Sequence, residues 1–352
     1  MERFFPVPLI FTLMLPEDTS GTPARITAVY KERYELVCEY GYTFGKLKTS
    51  IYYYEKLEDF PTTGDFVLID YNPSGDSQII KTLARKSFFS RRDPSPGQGE
   101  QAVAANFDYV FIMQSLNNDF NLKRMERYIT LSWQSGAIPV VILTKADLVE
   151  DYSKYMQAVQ DVAVGVGVYA ISVITGFGLY KLKNDYLKPR KTVVFFGSSG
   201  VGKSSLVNVL AGQEIMAIGD IREDDSKGRH TTTHRQLIML PNGAMIIDTP
   251  GMRELGMWDI GTGLGDAFSD VESYFDQCKF KDCRHQTEPG CAVREAINNG
   301  ELPKERWESY LKLMREARFS EDKTGYLRQK QRWHKDIAKK SRQMKKNGRF
   351  KE

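Results

Sequence analysis

The sequence predicts a multidomain α/β protein with an N-terminal OB-fold β-barrel, a central α/β domain and a C-terminal helical domain built around a metal. Three observations support this fold class. Short β-rich stretches fill residues 22–90, apolar strands alternate with helical segments over residues 108–248, and three cysteines cluster with a histidine over residues 278–291. A chain of 352 residues is long enough for two or three domains.

The barrel is expected over residues 22–92, after an N-terminal extension of residues 1–21. Turn-forming sequences such as Pro61-Thr-Thr-Gly-Asp separate its strands, which are predicted at residues 24–30, 34–38, 50–54, 65–70 and 78–83. Five short strands in about 70 residues fit an OB-fold. Such barrels often bind nucleic acid, but many do not, so this domain alone does not define a function.

The stretch Arg91-Arg-Asp-Pro-Ser-Pro-Gly-Gln-Gly is predicted to be a linker, and the α/β domain is expected over residues 93–265. Strands are predicted at residues 108–113, 138–143, 168–172 and 191–196, and helices near residues 122–134 and 153–164. This alternation favours a mainly parallel sheet. Residues 236–248 are predicted to form a hairpin that turns at Asn242-Gly243.

A phosphate-binding loop follows the apolar strand that ends at Phe196. Gly197-Ser-Ser-Gly-Val-Gly-Lys-Ser matches G-x-x-x-x-G-K-[ST] and precedes a helical segment. In such a loop, backbone N–H groups and a helix N-terminus converge on phosphate oxygens. We expect Lys203 to reach the β- and γ-phosphates and Ser204 to ligate Mg²⁺. The predicted binding residues here are Gly197, Ser198, Ser199, Gly200, Val201, Gly202, Lys203, Ser204 and Ser205.

Two strand ends upstream of this loop favour guanine over adenine as the base. In Leu143-Thr-Lys-Ala-Asp-Leu, Asp147 is placed to accept hydrogen bonds from the guanine ring N–H and amine, and the Lys145 stem to pack along the ring. Thr144 and Ala146 complete this loop. Taken alone the loop is a weak signal, but the second strand end, Val168-Tyr-Ala-Ile-Ser, adds Ser172 at the tip of another guanine-contacting loop.

The γ-phosphate side of the site is predicted downstream. Asp248-Thr-Pro-Gly follows an apolar strand, so Asp248 is expected to hold Mg²⁺ through water and the Gly251 N–H to face the γ-phosphate. Gly228-Arg-His-Thr-Thr-Thr-His lies between the phosphate loop and Asp248. It predicts a switch loop whose hydroxyl groups can bind the metal. The sequence does not separate its three threonines, and Thr232 is chosen as the ligand.

The order of these loops along the chain is base, base, phosphate, switch, switch. Ordinary GTPases run phosphate, switch, switch, base, base. The sequence therefore predicts a circularly permuted P-loop GTPase domain that binds GTP or GDP with Mg²⁺.

The residue at position 252 predicts that the protein alone hydrolyses GTP slowly. Met252 occupies the position at which many GTPases place a glutamine that orients the attacking water, and a thioether cannot do this. We expect Lys203 and His230 to be the catalytic residues, with His230 positioning the water. The alternative is that His230 contacts RNA or has no role in the reaction.

A structural zinc ion is predicted in a domain over residues 266–317. Cys278, Cys283, His285 and Cys291 offer three thiolates and one imidazole, a set that suits tetrahedral Zn²⁺ and leaves no ligand position open. The alternative is a group of unligated buried cysteines.

The basic C-terminal tail, residues 318–352, carries 13 Lys and Arg against four acidic residues, a net charge of +9. A polyanionic partner would explain this charge, and so would a solvated helix. No apolar run is long enough to cross a membrane, and the N-terminus lacks the features of a secretory signal. We expect a soluble, cytoplasmic monomer without a membrane partner.

The permuted loops, the preceding barrel and the trailing Cys/His cluster together resemble the ribosome-small-subunit-dependent GTPase A family (RsgA) over residues 22–317. The motifs that carry the resemblance are Gly197 to Ser205, Gly228-Arg-His-Thr-Thr-Thr, Asp248-Thr-Pro-Gly-Met-Arg-Glu-Leu-Gly and the segment from Cys278 to Val293. The sequence departs from the general GTPase pattern at Thr144, where an asparagine is usual.

The resemblance implies a GTPase that binds the small ribosomal subunit through its rRNA and assists late maturation. It also implies GTP hydrolysis that is slow alone and faster on the subunit. Two alternatives stay open: an RNA-binding assembly factor with a mainly structural nucleotide site, and a permuted GTPase that acts on the large subunit.

Overall fold

The computed structural model describes residues 20–31, 33–52, 59–92, 100–117, 120–163, 165–216, 235–248 and 267–321. Within these ranges, residues 20–248 and 267–270 belong to one compact unit, and residues 271–321 belong to a second. The predicted residues Thr232, His230 and Gly251 lie outside the described ranges, as do the N-terminal extension up to residue 19 and the tail from residue 322.

The first unit begins with a closed five-stranded barrel, as predicted. Its strands are β1 (Thr22–Val29), β2 (Tyr34–Cys38), β3 (Gly41–Leu47), β4 (Phe66–Asp70) and β5 (Ser77–Thr82). Pairing runs β1–β2–β3–β5–β4 and closes from β4 back to β1, with only β3 and β5 parallel. Alternate residues such as Ala24, Ile26, Leu36, Val67 and Ile69 fill the interior, so the barrel has a packed apolar core.

The predicted strand at residues 50–54 is wrong. Residues Thr49–Tyr52 form a short helix, α1, and residues 53–58 lie outside the described part of the chain. Tyr52 is buried, its ring packs 5.7 Å from that of Phe60, and its hydroxyl lies 2.8 Å from Thr82 Oγ1. Burial of this aromatic side chain in the barrel outweighs its preference for a strand.

The third barrel strand is instead β3, which the sequence did not reveal because glycines interrupt it. At Gly45 a Cβ would come within 2.7 Å of Leu36 Cδ1, so glycine permits a close approach to β2.

The predicted GTPase sheet is also present. Its strands are β8 (Tyr109–Ser115), β9 (Ile138–Thr144), β10 (Gly167–Ala170), β11 (Thr192–Gly197), β12 (Gln236–Met239) and β13 (Met245–Asp248). Their order is β10-β9-β8-β11-β13-β12, and every neighbouring pair except β12–β13 is parallel. All six residues of β11 are buried, as expected for a strand covered on both faces.

Helices cover this sheet. They are α2 (Leu122–Gln134), α3 (Ser153–Val162), α4 (Leu179–Tyr186) and α5 (Lys203–Ala211). Helices α4 and α5 pack on the face that carries Phe195, whereas Tyr128 of α2 contacts Phe196, which points to the other face. The sequence predicted α2, α3 and α5 but not α4.

A two-stranded hairpin connects the barrel to the GTPase sheet. It consists of β6 (Phe88–Arg92) and β7 (Glu100–Ala105). The predicted linker is therefore wrong at its first two residues, since Arg91 and Arg92 belong to β6 and pair with β7. Residues 93–99 lie outside the described ranges.

The barrel and the GTPase sheet form one continuous hydrogen-bonded sheet, because β1 also pairs with β12. Arg25, on β1, is fully buried at this junction. Its guanidinium donates to Asn106 O (3.1 Å), Thr192 Oγ1 (3.0 Å) and Gly64 O (3.2 Å). Burial lowers the pKa of Arg25 to about 10, so it remains charged at neutral pH.

The second unit is helical, as predicted. The two units divide within a short helix, α6 (Ser269–Glu272), which is followed by a 3₁₀ turn at Phe275–Gln277, α7 (Ala292–Asn299) and α8 (Lys304–Glu321). Trp307 and Tyr310 of α8 stack at 5.6 Å and pack edge-on against Phe275. Among the helices of the described residues, none is both long and apolar enough to cross a membrane.

Candidate functional site

The predicted nucleotide-binding loops meet at one edge of the GTPase sheet. The strands that end at Thr144, Ala170, Gly197 and Asp248 are all parallel, so their carboxyl ends share this edge. In open α/β sheets, ligands bind outside the carboxyl ends of the strands. The structure thus brings together the described residues that the sequence assigned to phosphate, base and magnesium.

The phosphate loop has a backbone that two of its glycines make possible. At Gly197 a Cβ would come within 2.9 Å of both Met113 O and Val201 Cγ1, so glycine is needed for space. At Gly202 a Cβ would meet no atom within 4 Å, but φ is 98°, so glycine is needed for the backbone conformation. The chain then enters α5 at Lys203.

Lys203 lies folded over the loop that precedes it. Its Nζ donates to the carbonyl oxygens of Gly197 (2.7 Å) and Ser198 (3.1 Å). This places a positive charge beside the N-terminus of α5, where a phosphate group would also meet the positive end of the helix dipole. Ser204 and Ser205 follow in the first turn of α5 and are partly exposed.

Thr144 connects the base loop to the phosphate loop. Its side chain is buried, and its hydroxyl donates to Val201 O at 2.7 Å. The threonine that departs from the usual GTPase pattern therefore makes a specific contact with the phosphate loop. We expect this contact to fix the spacing between the base and phosphate sites.

Replacing Thr144 with Val should weaken GTP binding about tenfold, because the buried Val201 carbonyl loses its hydrogen-bond donor. Titration with a fluorescent GTP analogue would measure this loss. Thr144→Ser keeps the hydroxyl and should bind normally. Thr130→Val is the matched control, since its hydroxyl donates to Glu126 O within α2. Equal affinities for the Thr144→Val and Thr130→Val variants would contradict this role.

The base loop turns sharply after β9. Lys145 has a left-handed backbone (φ 58°), and the following 3₁₀ turn, Ala146–Leu148, carries Asp147 in an exposed position. The Ala146 N–H donates to Ile171 O at 3.0 Å, which holds this loop against the second one. Asp147 is thus presented to solvent at the sheet edge on a backbone that hydrogen bonds fix.

Ser172 stabilises the second base loop. It is almost fully buried, its N–H donates to Phe177 O (3.1 Å), and its Oγ accepts from the Thr175 N–H (3.2 Å). These bonds close the loop on itself. The Ser172 carbonyl also accepts from the Gly176 N–H (3.0 Å), so its backbone N–H, its backbone carbonyl and its Oγ all hold the shape of this loop.

Asp248 ends β13 and lies directly opposite Gln236 of β12 in the register of the hairpin. Its side chain is partly exposed. A carboxylate at this edge can hold Mg²⁺ through water, as predicted.

The four predicted metal ligands lie together in the second unit. The ligand atoms of Cys278, Cys283, His285 and Cys291 are all within 4.8 Å of one another. His285 Nδ1 is 3.5 Å from the sulfurs of both Cys278 and Cys291. With Zn–S bonds of about 2.3 Å and Zn–N bonds of about 2.0 Å, a tetrahedral ion fits these separations. Of the four side chains only Cys291 is buried, and the other three are partly exposed.

Local contacts orient the ligands of this cluster. The His285 ring stacks on Phe275 at 4.5 Å and meets Trp307 edge-on. The pKa of the Glu288 carboxyl is lowered to about 2. The cause is hydrogen bonding of the carboxylate to its own backbone N–H and to those of Gln286, Thr287 and Arg284. The ionised Glu288 side chain therefore holds the turn that carries the histidine. The sequence did not identify this role, since its signal is only one acidic residue within the Cys/His spacing.

Comparisons with known proteins agree with this geometry. The family model described as RsgA GTPase matches residues 82–258. A model described as ABC transporter matches residues 183–346, a span that includes the phosphate loop, which many nucleotide-binding families share. The assignment to a family therefore depends on the first model and on the relatives that follow.

Relatives with high identity span most of the chain. Small ribosomal subunit biogenesis GTPase RsgA 1 of Listeria monocytogenes is 49% identical and covers 84% of this chain and 83% of its own length. RsgA 2 of Lactiplantibacillus plantarum is 44% identical (87% and 86%). RsgA of Methanosarcina acetivorans is 44% identical (76% and 73%).

Solved structures share the fold. YjeQ from Thermotoga maritima superposes with a TM-score of 0.63 at 25% identity, covering 84% of this chain and 98% of that chain. YloQ, described as a circularly permuted GTPase, gives a TM-score of 0.60 at 25% identity, with 84% and 95% covered. The predicted barrel and permuted GTPase domain are confirmed. The chain belongs to the RsgA GTPase family.

Proposed function

We propose that this protein is a GTP hydrolase that acts in the biogenesis of the small ribosomal subunit. The observation that carries the proposal is the meeting of two base loops, a phosphate loop and Asp248 at one sheet edge, in permuted order. The relatives described above are named for this process, and the chain matches them over most of their length. Hydrolysis is expected to be slow alone and faster on the subunit, at a late stage of its maturation.

Each part of the site receives a role in this proposal. Lys203 and the loop N–H groups bind the β- and γ-phosphates, Ser204 and Asp248 hold Mg²⁺, and Asp147 reads guanine. Two features support the assignment of guanine recognition to Asp147. They are the left-handed backbone at Lys145 and the Ala146–Ile171 hydrogen bond, which fix the direction in which Asp147 points.

The remaining catalytic assignments come from the sequence. Thr232 is proposed as the switch-loop ligand of Mg²⁺, the Gly251 N–H as a γ-phosphate contact, and His230 as the residue that positions water. Because Met252 cannot orient water, a polar group must come from another position, and His230 is proposed because it lies in the predicted switch loop.

The Cys278, Cys283, His285 and Cys291 cluster is proposed to hold one structural zinc ion. Four protein ligands leave no position for water, so the ion would stabilise the fold instead of taking part in the reaction. We also propose a barrel domain over residues 22–92, a GTPase domain over residues 93–265 and a zinc-binding domain over residues 266–317.

We infer that rRNA is the main contact on the subunit, with the barrel and the basic tail as its binding surfaces. The tail's net charge of +9 favours phosphate contacts. On the barrel, aromatic side chains at the surface could stack on bases, whereas Tyr52 is buried in the core and cannot. A monomer in the cytoplasm is proposed, with no membrane partner.

A single experiment separates this function from the alternatives. GTP turnover should be measured for the protein alone, with small ribosomal subunits and with large ones. We expect small subunits to raise the rate of GTP turnover and large subunits to leave it unchanged. Stimulation by large subunits would point to the other assembly pathway, and turnover that neither subunit changes would favour an RNA-binding factor with a structural nucleotide site.

A further inference from the structure

The barrel contacts the GTPase sheet at the strand that ends in Asp248. Two buried side chains of β13, Met245 and Ile247, point to the same face of the sheet. Arg25 Nη1 lies 3.1 Å from Met245 Sδ, and a Cβ at Gly64 would come within 2.8 Å of Ile247 Cδ1. The barrel residues Arg25 and Gly64 therefore pack directly on β13.

The barrel also holds β12, the hydrogen-bonded partner of β13. Ala28 of β1 pairs with Gln236, and Gln236 pairs with Asp248, so one line of backbone pairs crosses three strands from the barrel to the proposed magnesium residue. Thr63 adds a side-chain contact, since its buried hydroxyl donates to Arg235 O at 3.3 Å. The barrel thus contacts both strands of this hairpin.

We propose that Thr63 is a positioning residue for Asp248, and that the barrel thereby sets the magnesium affinity of the nucleotide site. This inference rests on the proposed function, since it takes Asp248 as the residue that holds Mg²⁺ through water. Thr63 fixes the start of β12 next to Gln236, and Gln236 in turn fixes the end of β13. Loss of the Thr63 contact lets the end of β13 shift, and the Mg²⁺ geometry tolerates such shifts poorly.

The test uses two neighbouring threonines of the barrel. Thr63→Val removes the hydroxyl that contacts Arg235. Thr62→Val removes a buried hydroxyl that donates to Val103 O in β7 and has no bond to β12 or β13. Both variants lose one side-chain-to-backbone hydrogen bond, which is part-buried at Thr63 and buried at Thr62, so a general loss of stability should be at least as large in Thr62→Val. Thr63→Ser retains the hydroxyl and should behave as the unmodified protein.

The measurement is the Mg²⁺ concentration that gives half-maximal GTP turnover, together with GDP affinity in excess EDTA. Thr63→Val should raise that Mg²⁺ concentration about fivefold, the effect of one hydrogen bond, and leave GDP affinity in EDTA unchanged. Thr62→Val should leave both values unchanged. Identical Mg²⁺ dependence of the two variants would overturn the inference.

A second measurement needs no substitution. Because coupling between sites is reciprocal, adding Mg²⁺ to the GDP-bound protein should slow amide exchange in β1 relative to β5, on the far side of the barrel. Unchanged exchange in β1 would also overturn the inference. If the unmodified protein binds no guanine nucleotide in a Mg²⁺-dependent way, the proposed function itself fails, which is a distinct result.

Discussion

Replacing Asp147 with Asn is expected to change the base preference of the enzyme from guanine to xanthine. In the proposed function the Asp147 carboxylate accepts two hydrogen bonds from guanine, and an amide in its place would direct a donor at a guanine donor. Sites built on such hydrogen bonds reject a mismatched partner by a factor of roughly 10⁴. Turnover of GTP should fall by about this factor, and turnover of xanthosine triphosphate should appear.

Steady-state kcat/KM values for both nucleotides would measure the change. Asp161→Asn is a suitable control, because Asp161 is an exposed acid on α3 that is bonded to Gln157 on the same helix. A variant at Asp147 that loses GTP turnover without gaining xanthosine triphosphate turnover would argue against base recognition by this residue. It would leave only a structural role for the loop.

Removing the proposed zinc ion is expected to unfold the second unit and to leave nucleotide binding intact. Structural zinc sites contribute roughly 10–16 kcal/mol of apparent binding free energy to folding. Two of the helices in this unit, α6 and α7, are short, and the His285 ring packs among the aromatic side chains of Phe275 and Trp307. Without the ion, residues 271–321 should lose their helical structure.

Cys291→Ser tests this expectation, with Cys38→Ser as the control because Cys38 is buried in the barrel, in the other unit. Zinc content, circular dichroism and titration with a fluorescent GDP analogue should be measured for each variant. Loss of zinc and helicity with normal GDP affinity is expected only for Cys291→Ser. A zinc-free protein with unchanged helicity would show that the cluster does not hold the fold.

Elements with a strong local pattern were predicted well from the sequence. The buried run of β11 and the periodic α2 each carry enough local pattern to be assigned alone. Residues 49–52 and β3 were missed because their structure depends on distant partners: Tyr52 is buried against Phe60 and Thr82, and Gly45 is needed to approach Leu36.

The candidate site also has parts that follow from local sequence pattern and parts that depend on distant contacts. The loops that bind phosphate and base follow fixed spacings, and the structure brings their described residues together at one edge. The contact between Thr144 and Val201 joins residues 57 positions apart, and no spacing rule relates them. Contacts of the barrel with β12 and β13 are equally invisible in a single sequence, because they depend on how two folded domains pack.

The pairing of β1 with β12 also has a consequence for solubility. Within the described sheet, β12 would be the outermost strand of the GTPase domain if the barrel were absent. Such a strand presents unpaired N–H and C=O groups, to which another chain can add edge to edge. The barrel covers this strand at the Ala28–Gln236 pair and at the Thr63–Arg235 contact, and we expect it to limit such addition. A fragment that begins after the barrel should be prone to aggregate even if its nucleotide site is intact.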